Sequence, residues 1–423
     1  MIVRLMDRVA ADTPHPDSGP LRVLIQQPSL AKYRVPVYRL LNQDPNLEVT
    51  VVYGQDGGLP NVPPDGFTAI HRPHRELGVG RRRPFVWQWQ QVRLASREHC
   101  DVLVMVWNTR WLTLPLALWR ARRQGVRTVL WGHGYSKDEA AWRAKLRTRI
   151  GRMADALLLY SRGVADRYRE CGFDAADVFV APNTLDQSAI QAARSDWLAE
   201  PQKLAAFREA NGVKGTDQNL LYVSRFAPEN RVDLLIRAVA RLAPQRPQLR
   251  LNLIGKGEPC ARDLKALAAD LGIADRVRFL GAIYDESSLA PWFLSADVFC
   301  YPENIGLSLL HAMGYGVPVV TADDASIQNP EFEALRDGEN GCTYRTGSAE
   351  ALAEVLAALL DDDTERMRLG RAALNTATRE FGLEAMVDGF RAAVVGEASE
   401  TGAGGLQPKC DGRETRTGDA ACI

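Results

Sequence analysis

Short runs of aliphatic and β-branched residues alternate with helix-length segments along this chain, and the pattern occurs twice. LRVLIQQP (21–28), LEVTVVYG (47–54), DVLVMVW (101–107), TVLWGHG (128–134), ADALLLYS (154–161) and DVFVAPN (177–183) read as strands with helices between them. After a polar stretch the alternation restarts with NLLYVSRF (219–226), LRLNLIGKG (249–257), VRFLG (277–281), ADVFCYP (296–302) and VPVVTAD (317–323). Strands that alternate with helices pair in parallel, because a helix is long enough to carry the chain back to the same end of the sheet. The expected fold class is α/β: two facing Rossmann-like, doubly wound domains. The expected boundaries are a flexible leader over 1–20, an N-terminal domain over 21–195, a linker over 196–217, a C-terminal domain over 218–395 and a polar, Gly-rich disordered tail over 396–423. A helix is expected from about Gly306, and one long closing helix over 364–395.

Composition is globular, which excludes collagen, disordered and disulfide-scaffold classes. The 423 residues suit two domains at roughly 100–200 residues each, and 46% hydrophobic residues can fill two cores. A formal net charge of zero conceals an asymmetry: residues 1–195 carry 28 Lys and Arg against 18 Asp and Glu, and the remainder carries 24 against 34. Opposite charge on the two halves implies different tasks. Seven scattered cysteines include no C-x-x-C pair, which argues against a zinc or disulfide framework and for a reducing, cytoplasmic setting. The first twenty residues lack the continuous apolar core of a signal peptide. No segment reaches the roughly 20 apolar residues of a membrane span; the most apolar stretch, 102–119, is broken by Asn108 and Arg110. A soluble or peripheral protein is expected.

Ligands of doubly wound folds sit beyond the C-terminal ends of the strands, so chemistry is sought in the residues that follow each strand. The sharpest segment is PENIGLSLLHAMGYGVPVV (302–320). A strand there delivers the carboxylate of Glu303 into a loop, and Gly306 opens a helix whose free N–H groups suit an anion such as a diphosphate. His311 falls on the second turn of that helix. Two cations follow the strand at 219–226: Arg225 directly, and Arg231 six residues later where the next helix begins. Guanidinium forks there would grip phosphate oxygens; two solvated surface arginines are the plainer alternative. The turn Gly255-Lys256-Gly257 is not a Walker motif, because G-K-[ST] is missing.

In order and spacing these pieces resemble the retaining, nucleotide-sugar-dependent glycosyltransferases of family 4, which have the GT-B fold. The resemblance runs from about residue 21 to 395 and is strongest over 219–345. It rests on Ser224-Arg225, Arg231, Gly255-Lys256-Gly257-Glu258, Arg276-Val277 with Phe279 and Gly281, Pro302-Glu303, Gly306-Leu307, Ala312-Met313, Gly316, Pro318-Val319 and Asp337-Gly338-Glu339-Asn340-Gly341. In the first half, Trp131-Gly132-His133-Gly134, Ala154-Asp155-Ala156, Ser161 and Pro182-Asn183-Thr184-Leu185-Asp186 are similar to family elements.

The resemblance implies roles for individual residues. Arg225 and Arg231 would bind the donor diphosphate. Glu303, matching the first Glu of the family's E-x7-E motif, would face hydroxyls of the donor sugar. The amides of Asn304, Ile305, Gly306 and Leu307 would line that sugar and the distal phosphate, with Gly255, Lys256 and Gly257 also on the donor side. His133 would sit over the reacting sugar; a structural His between Trp and Gly is the alternative. The donor is a substrate, no cofactor is implied, and the family is generally metal-independent. Two departures stand out. His311 occupies the place of the second Glu, which accepts from ribose hydroxyls, and this opens a different donor preference. Gln27-Pro28-Ser29 replaces a Gly-Gly loop after the first strand, leaving Lys32 and Arg34 to compensate by side chain or to read an anionic acceptor.

Basic clusters crowd the first half: Arg81-Arg82-Arg83, Arg120 with Arg122, Arg123 and Arg127, and Arg143, Lys145, Arg147, Arg149 and Arg152. Trp87, Trp89, Trp107, Trp111, Trp119 and Trp142 lie among them in sequence. Such a surface suits anionic lipid at about 1 kcal/mol per near-surface cation. A lipid-linked saccharide acceptor at the inner face of the membrane is therefore one expectation, and an ordinary solvated face is the other. Nucleic acid is not expected, since no recognised binding module accompanies the charge. The leading function is sugar transfer to a saccharide or lipid-linked saccharide in cell-surface polysaccharide or glycolipid biosynthesis. The alternatives are a nucleotide-sugar epimerase of the same fold and a degenerate sugar-nucleotide-binding protein, the latter motivated by His311. A dehydrogenase is disfavoured because no G-x-G-x-x-G follows the first strand.

Overall fold

The computed structural model describes residues 19–55, 60–78, 85–137 and 139–397. Most of the expected leader, the arginine cluster at 81–83 and the tail from 398 lie outside the described residues. The chain divides into two compact units, residues 1–181 with 386–423, and residues 182–385.

The first unit contains, in chain order, β1 (Leu21–Gln27), β2 (Leu47–Tyr53), β3 (Thr68–His71), β4 (Arg75–Leu77), β5 (Phe85–Trp87), β6 (Val102–Val106), β7 (Arg127–Gly132), β8 (Ala156–Leu159) and β9 (Val178–Val180). β4 and β5 pair with each other as a small antiparallel ribbon. The other seven form one parallel sheet in the order β3-β2-β1-β6-β7-β8-β9. The second unit contains β10 (Gln218–Val223), β11 (Leu249–Ile254), β12 (Val277–Phe279), β13 (Val298–Cys300), β14 (Val319–Ala322) and β15 (Gly341–Tyr344), parallel in the order β12-β11-β10-β13-β14-β15.

Central strands of such sheets are covered by helices on both faces, so consecutive residues must be apolar. Leu220, Leu221 and Tyr222 of β10 are accordingly all buried, as are Leu103, Val104 and Met105 of β6. The helix Val232–Leu242 buries Val232, Leu235, Ile236, Val239 and Leu242, the three-and-four spacing of one helical face. Full burial of such a side chain contributes about 1.5–3 kcal/mol, and Leu235→Ala would remove one from the middle of that stripe.

Both sheets start at a central strand, run out to one edge and return on the other side of the starting strand. The reversal falls between β1 and β6 in the first unit and between β10 and β13 in the second. Strand ends at a reversal diverge into a crevice where doubly wound sheets take their ligands. The residues after β1, β10 and β13 are therefore the ones placed for chemistry.

The expected strands are present, and two expected boundaries are corrected. The region 196–217, expected as a linker between domains, is largely helical: helices Gln187–Ala199 and Pro201–Ala210 occupy most of it. From Pro182 the chain already belongs to the second unit. Gln187 Nε2 donates to Leu310 O at 3.2 Å, and Gln191 Nε2 donates to Gly314 O at 2.7 Å. Side-chain amides satisfying carbonyls of another helix leave no mark in an apolar pattern, which is why this docking was not legible. The closing segment is a helix Asp363–Asn375, a π-helical turn Thr376–Glu380 and a helix Leu383–Val395. From Met386 it belongs to the first unit. Phe390 lies edge-on to Trp131 at 5.0 Å, and Gly389 lies so close to Val180 O that an added Cβ would stand 1.9 Å away. No helix among the described residues is long and apolar enough to cross a membrane.

Candidate active site

In the second unit, Arg225 is exposed just past β10, and its guanidinium has no hydrogen bond or ion pair among the described residues. Its carbonyl oxygen accepts from Tyr222 Oη and from Asn230 Nδ2, both at 2.9 Å. Asn230 is buried and reaches across the reversal. Its Oδ1 accepts from Asn304 Nδ2 at 3.0 Å, and its carbonyl oxygen accepts from Glu303 N at 3.4 Å. Sequence reasoning missed Asn230, because a lone Asn in a turn carries no motif.

Arg231 follows at the start of helix Val232–Leu242 in the left-handed conformation, φ 49° and ψ 41°. Asn304 has φ 61°, and these two are the non-glycine residues with positive φ among the described residues. Such a backbone costs an L-residue about 1–2 kcal/mol and persists only where neighbours hold it. Both strained residues flank the Asn230 contacts. Arg231 Nε lies 3.0 Å from Asp233 Oδ1, Nη2 lies 3.2 Å from Asp233 Oδ2, and Nη1 lies 3.9 Å from Glu303 Oε2. The hydrogen-bonded Asp233 carboxylate, opposed by burial and reinforced by Glu303, raises the Arg231 pKa. Glu303 is buried, and its Oε1 accepts from Gly347 N at 3.1 Å.

The loop after Glu303 is held from below. Ile305 N donates to Gln328 Oε1 at 2.7 Å, and Asn329 Nδ2 donates to Asn304 O at 2.9 Å and Ile305 O at 3.1 Å. The helix begins at Ser308, is seven residues long, and leaves Gly306 and Leu307 in the loop before it. The expected helix start at Gly306 is thus two residues late in the structure. A Cβ added to Gly306 would meet nothing closer than Asn329 Nδ2 at 3.5 Å, so this flank of the loop is open.

His311 does not stand alone. Its Nε2 is 2.8 Å from Glu286 Oε1, which also accepts from Tyr315 Oη, and its ring packs 4.8 Å from Phe293. Burial pushes the Glu286 carboxyl up, but the His311 and Tyr315 hydrogen bonds outweigh it and the net pKa is lowered. Asp285 caps the helix Glu286–Phe293 by accepting from Ser288 N at 2.9 Å, which sets Glu286 in its first turn. The carboxylate missing at 311 is thus present next to it, on a different helix.

Gly255 and Gly257 pack against the chain. Added Cβ atoms would stand 1.8 Å from Ser224 O and 2.2 Å from Phe226 O. Phe226 N donates to Lys256 O at 2.9 Å. The turn therefore braces the backbone on either side of Arg225, and Lys256 itself is exposed, 5.5 Å from the Tyr284 ring. A groove of about 530 Å³ lies beside this turn, between Phe226, Val232, Pro259 and Leu264; none of the residues expected to hold the donor lines it. Asn340 is a brace as well: it accepts from Arg336 N at 2.7 Å and donates to Ala334 O at 2.8 Å and Thr376 Oγ1 at 3.0 Å.

In the first unit, His133 follows β7 with its ring 4.9 Å from Tyr160 and 6.2 Å from Tyr135. The ring reaches solvent yet is densely surrounded by protein. That crowding, with the charges of Arg34, Lys137 and Arg147, lowers its pKa to about 4, so it is neutral at pH 7. Arg34 is 5% exposed, with its guanidinium 4.6 Å from the Trp131 ring, 4.9 Å from Tyr33 and 5.1 Å from Tyr160. Nη2 donates to Tyr160 Oη at 2.9 Å and Nη1 to Met386 Sδ at 3.4 Å; no carboxylate among the described residues pairs with it. Burying an ion costs several kcal/mol, of which each ring face returns about 0.5–2.

The basic clusters separate in the structure. Arg147 is buried, 2.7 Å from both Glu139 Oε1 and Ser136 Oγ, so it is not a surface cation; Trp107 and Trp111 are core. No group of three or more His, Cys, Asp or Glu among the described residues is placed to hold a metal ion.

Residues 204–376 match the family model described as Glycosyl transferases group 1, and residues 37–189 match that of Glycosyltransferase Family 4. The D-inositol 3-phosphate glycosyltransferase of Streptomyces avermitilis is 37% identical over 168 residues, 37% of this chain and 35% of its own length. The chain spans less than half the length of this relative and of several like it. The GDP-mannose-dependent alpha-(1-6)-phosphatidylinositol monomannoside mannosyltransferase of Mycolicibacterium smegmatis is 30% identical over 277 residues, 61% of this chain and 68% of its own. Among solved structures, Anabaena Alr3699/HepE in complex with UDP matches with a TM-score of 0.67 at 17% identity, over 88% of this chain and 98% of that one, which shows a shared fold. With two parallel-sheet α/β units, both family models matched and a relative 30% identical aligned over 68% of its own length, the chain belongs to glycosyltransferase family 4, the group 1 glycosyl transferases of GT-B fold.

Proposed function

We propose that the protein moves a sugar, with retention of its anomeric configuration, from a nucleoside-diphosphate donor to a saccharide or lipid-linked saccharide acceptor. The observation that carries this reading is the grouping of Arg225, Arg231 and the buried Glu303 around Asn230. In such a transfer the bond from the anomeric carbon to phosphate oxygen breaks through an oxocarbenium-like state, and its electron pair leaves with the diphosphate. The Arg225 guanidinium has no partner among the described residues and takes the developing charge; Arg231 is held in place by Asp233 before the donor arrives. Donors fixed in advance supply the largest single catalytic contribution in many enzymes. Glu303 keeps one oxygen on the Gly347 N–H and offers the other toward Arg231 and the sugar hydroxyls. The acceptor hydroxyl adds to the anomeric carbon, and its proton passes to the leaving phosphate. His133, in the first unit, is neutral at pH 7 and so carries a hydrogen-bonding group and not a charge. The GDP-mannose dependence of one relative and the UDP bound to the Anabaena protein support a nucleoside-diphosphate leaving group.

The test is incubation of the purified chain with UDP- and GDP-sugars and an acceptor panel, reading the product anomer by NMR. Nucleoside diphosphate release with a glycoside of the donor's configuration is expected. An inverted product overturns retention, isomerised sugar without acceptor points to an epimerase, and binding without release points to a binding protein.

The acceptor side carries a second feature. Helices Leu114–Arg123 and Ala141–Gly151 join β6 to β7 and β7 to β8, so right-handed crossovers set them side by side on one face. Leu116, Trp119, Trp142 and Leu146 are exposed there, beside the exposed Arg122, Arg123, Lys145 and Arg149. Apolar side chains interleaved with cations on an outer helical face suit an anionic bilayer surface. On this reading the protein works as a peripheral enzyme at the inner leaflet.

A further inference from the structure

Apolar exposure in this protein is concentrated. Nine of the fourteen large hydrophobic side chains exposed among the described residues lie between Leu77 and Leu146; scattered single ones would need no explanation, whereas a cluster does. Four of the nine sit on or beside the ribbon of β4 and β5. Its register sets Arg75 opposite Trp87 and Leu77 opposite Phe85. Opposed residues, and residues two apart, share a face of an antiparallel pair, so these four side chains lie on one face, and all are exposed. The other face is anchored. Val86 packs on the core of the first unit, its N donates to Arg110 O at 2.8 Å, and its O accepts from Leu112 N at 3.0 Å. Trp89 extends the outward face, its ring 6.4 Å from that of Trp87 and parallel within 4°. Between the two indoles Gln88 is buried, accepting from Gln26 Nε2 and donating through Nε2 to Arg72 O at 2.9 Å. A fixed backbone therefore holds both indoles outward. The exposed Leu112 leads on from the ribbon to Leu116 and Trp119 of helix Leu114–Arg123. Charge argues for the occupant: Arg72, Arg75 and Arg93 are exposed around the ribbon, while Glu76 belongs to its opposite face with Val86.

We propose that the outward face of this ribbon, Leu77, Phe85 and Trp87 together with Trp89, inserts into an anionic bilayer. The inference deepens the peripheral reading given above and rests on it: helices Leu114–Arg123 and Ala141–Gly151 supply a charged surface, and the ribbon supplies the apolar wedge. Aromatic rings beside cations match the boundary between headgroups and acyl chains, where apolar faces sink about 5–10 Å. Arg75, on the same face as the rings, is placed for lipid phosphates, each near-surface cation contributing about 1 kcal/mol.

The test uses the full chain and phosphatidylglycerol vesicles with brominated acyl chains, which quench tryptophan emission on contact. Wild type is expected to bind and to be quenched. Trp87→Leu with Trp89→Leu keeps the face apolar and is expected to retain most of the affinity while losing much of the quenching; equal quenching in wild type and this variant overturns the wedge. Phe85→Ser with Trp87→Ser and Trp89→Ser is expected to lower vesicle affinity at least about tenfold and to leave the melting temperature unchanged, because the three side chains are exposed. The leucine variant decides the matter even if the serine variant fails to fold. Trp142→Ser with Leu146→Ser is measured beside them. Affinity lost there but kept in the serine variant of the ribbon preserves the peripheral reading and overturns the wedge, and a wild-type chain that ignores phosphatidylglycerol vesicles overturns both. Two other occupants have their own outcomes. A ribbon variant that keeps its vesicle affinity but loses binding to maltose assigns the face to a sugar. One that keeps it but loses self-association in lipid-free sedimentation assigns the face to a second copy of the chain. Either result overturns insertion.

Discussion

A methyl group added at Gly306 meets ordinary contact distances, so the fold does not demand glycine there, whereas one added at Gly255 strikes the Ser224 carbonyl at 1.8 Å. Gly306→Ala is therefore expected to leave the melting temperature unchanged and to lower turnover about tenfold by crowding the donor. Gly255→Ala is expected to destabilise by about 1–3 kcal/mol. Thermal melts and initial rates on both variants separate the two uses of glycine. Arg225→Ala and Glu303→Ala are each expected to lower kcat/KM at least about tenfold with the fold intact; wild-type rates in both would reject the assignment. His133 makes a prediction in pH. Its folded pKa of about 4 lies below the 6.5 of an unperturbed histidine, so between those values the unfolded chain binds more protons. The contribution is fully present above about pH 6.5 and is lost as pH falls toward 4. His133→Asn is expected to flatten that part of a melting-temperature profile, and an unchanged slope would show that His133 is not its source. Residues that directly follow a strand were legible because the strands were. Asn230 was not, since its importance lies in bridging two segments far apart in sequence.

Elements were legible where burial on both faces forces a continuous apolar run, as in β1, β6 and β10. β3 and β15 were not: TAIH and GCTY are four residues each and only partly buried. The partner of His311 was equally hidden, because nothing in ESSLAPWF announces that Glu286 faces the helix Ser308–Gly314. His311→Glu restores the residue type usual in the family but sets two carboxylates together. A loss of about 1–3 kcal/mol is expected, since Glu286 loses a hydrogen-bond partner while partly buried. Adding Glu286→His to that variant restores the pair in reverse and is expected to recover much of the loss. Calorimetry of the two variants decides; a stable His311→Glu protein would mean the pairing contributes nothing.

For the whole molecule, residues 1–195 carry an excess of cations, but not every one of them lies on the surface, since Arg147 is spent internally on Glu139. The exposed remainder predicts co-sedimentation with phosphatidylglycerol vesicles, little binding to phosphatidylcholine, and release by salt as screening shortens the reach of the charges. Trp142→Ser with Leu146→Ser is expected to weaken vesicle binding at equal salt; unchanged binding would place the contact elsewhere. The return of the chain from the second unit to the first has a consequence for synthesis. Trp131 and the end of β9 wait for Phe390 and Gly389, which the ribosome delivers more than two hundred residues later. The second unit is continuous and complete before that helix emerges, so the portion translated first is the portion finished last.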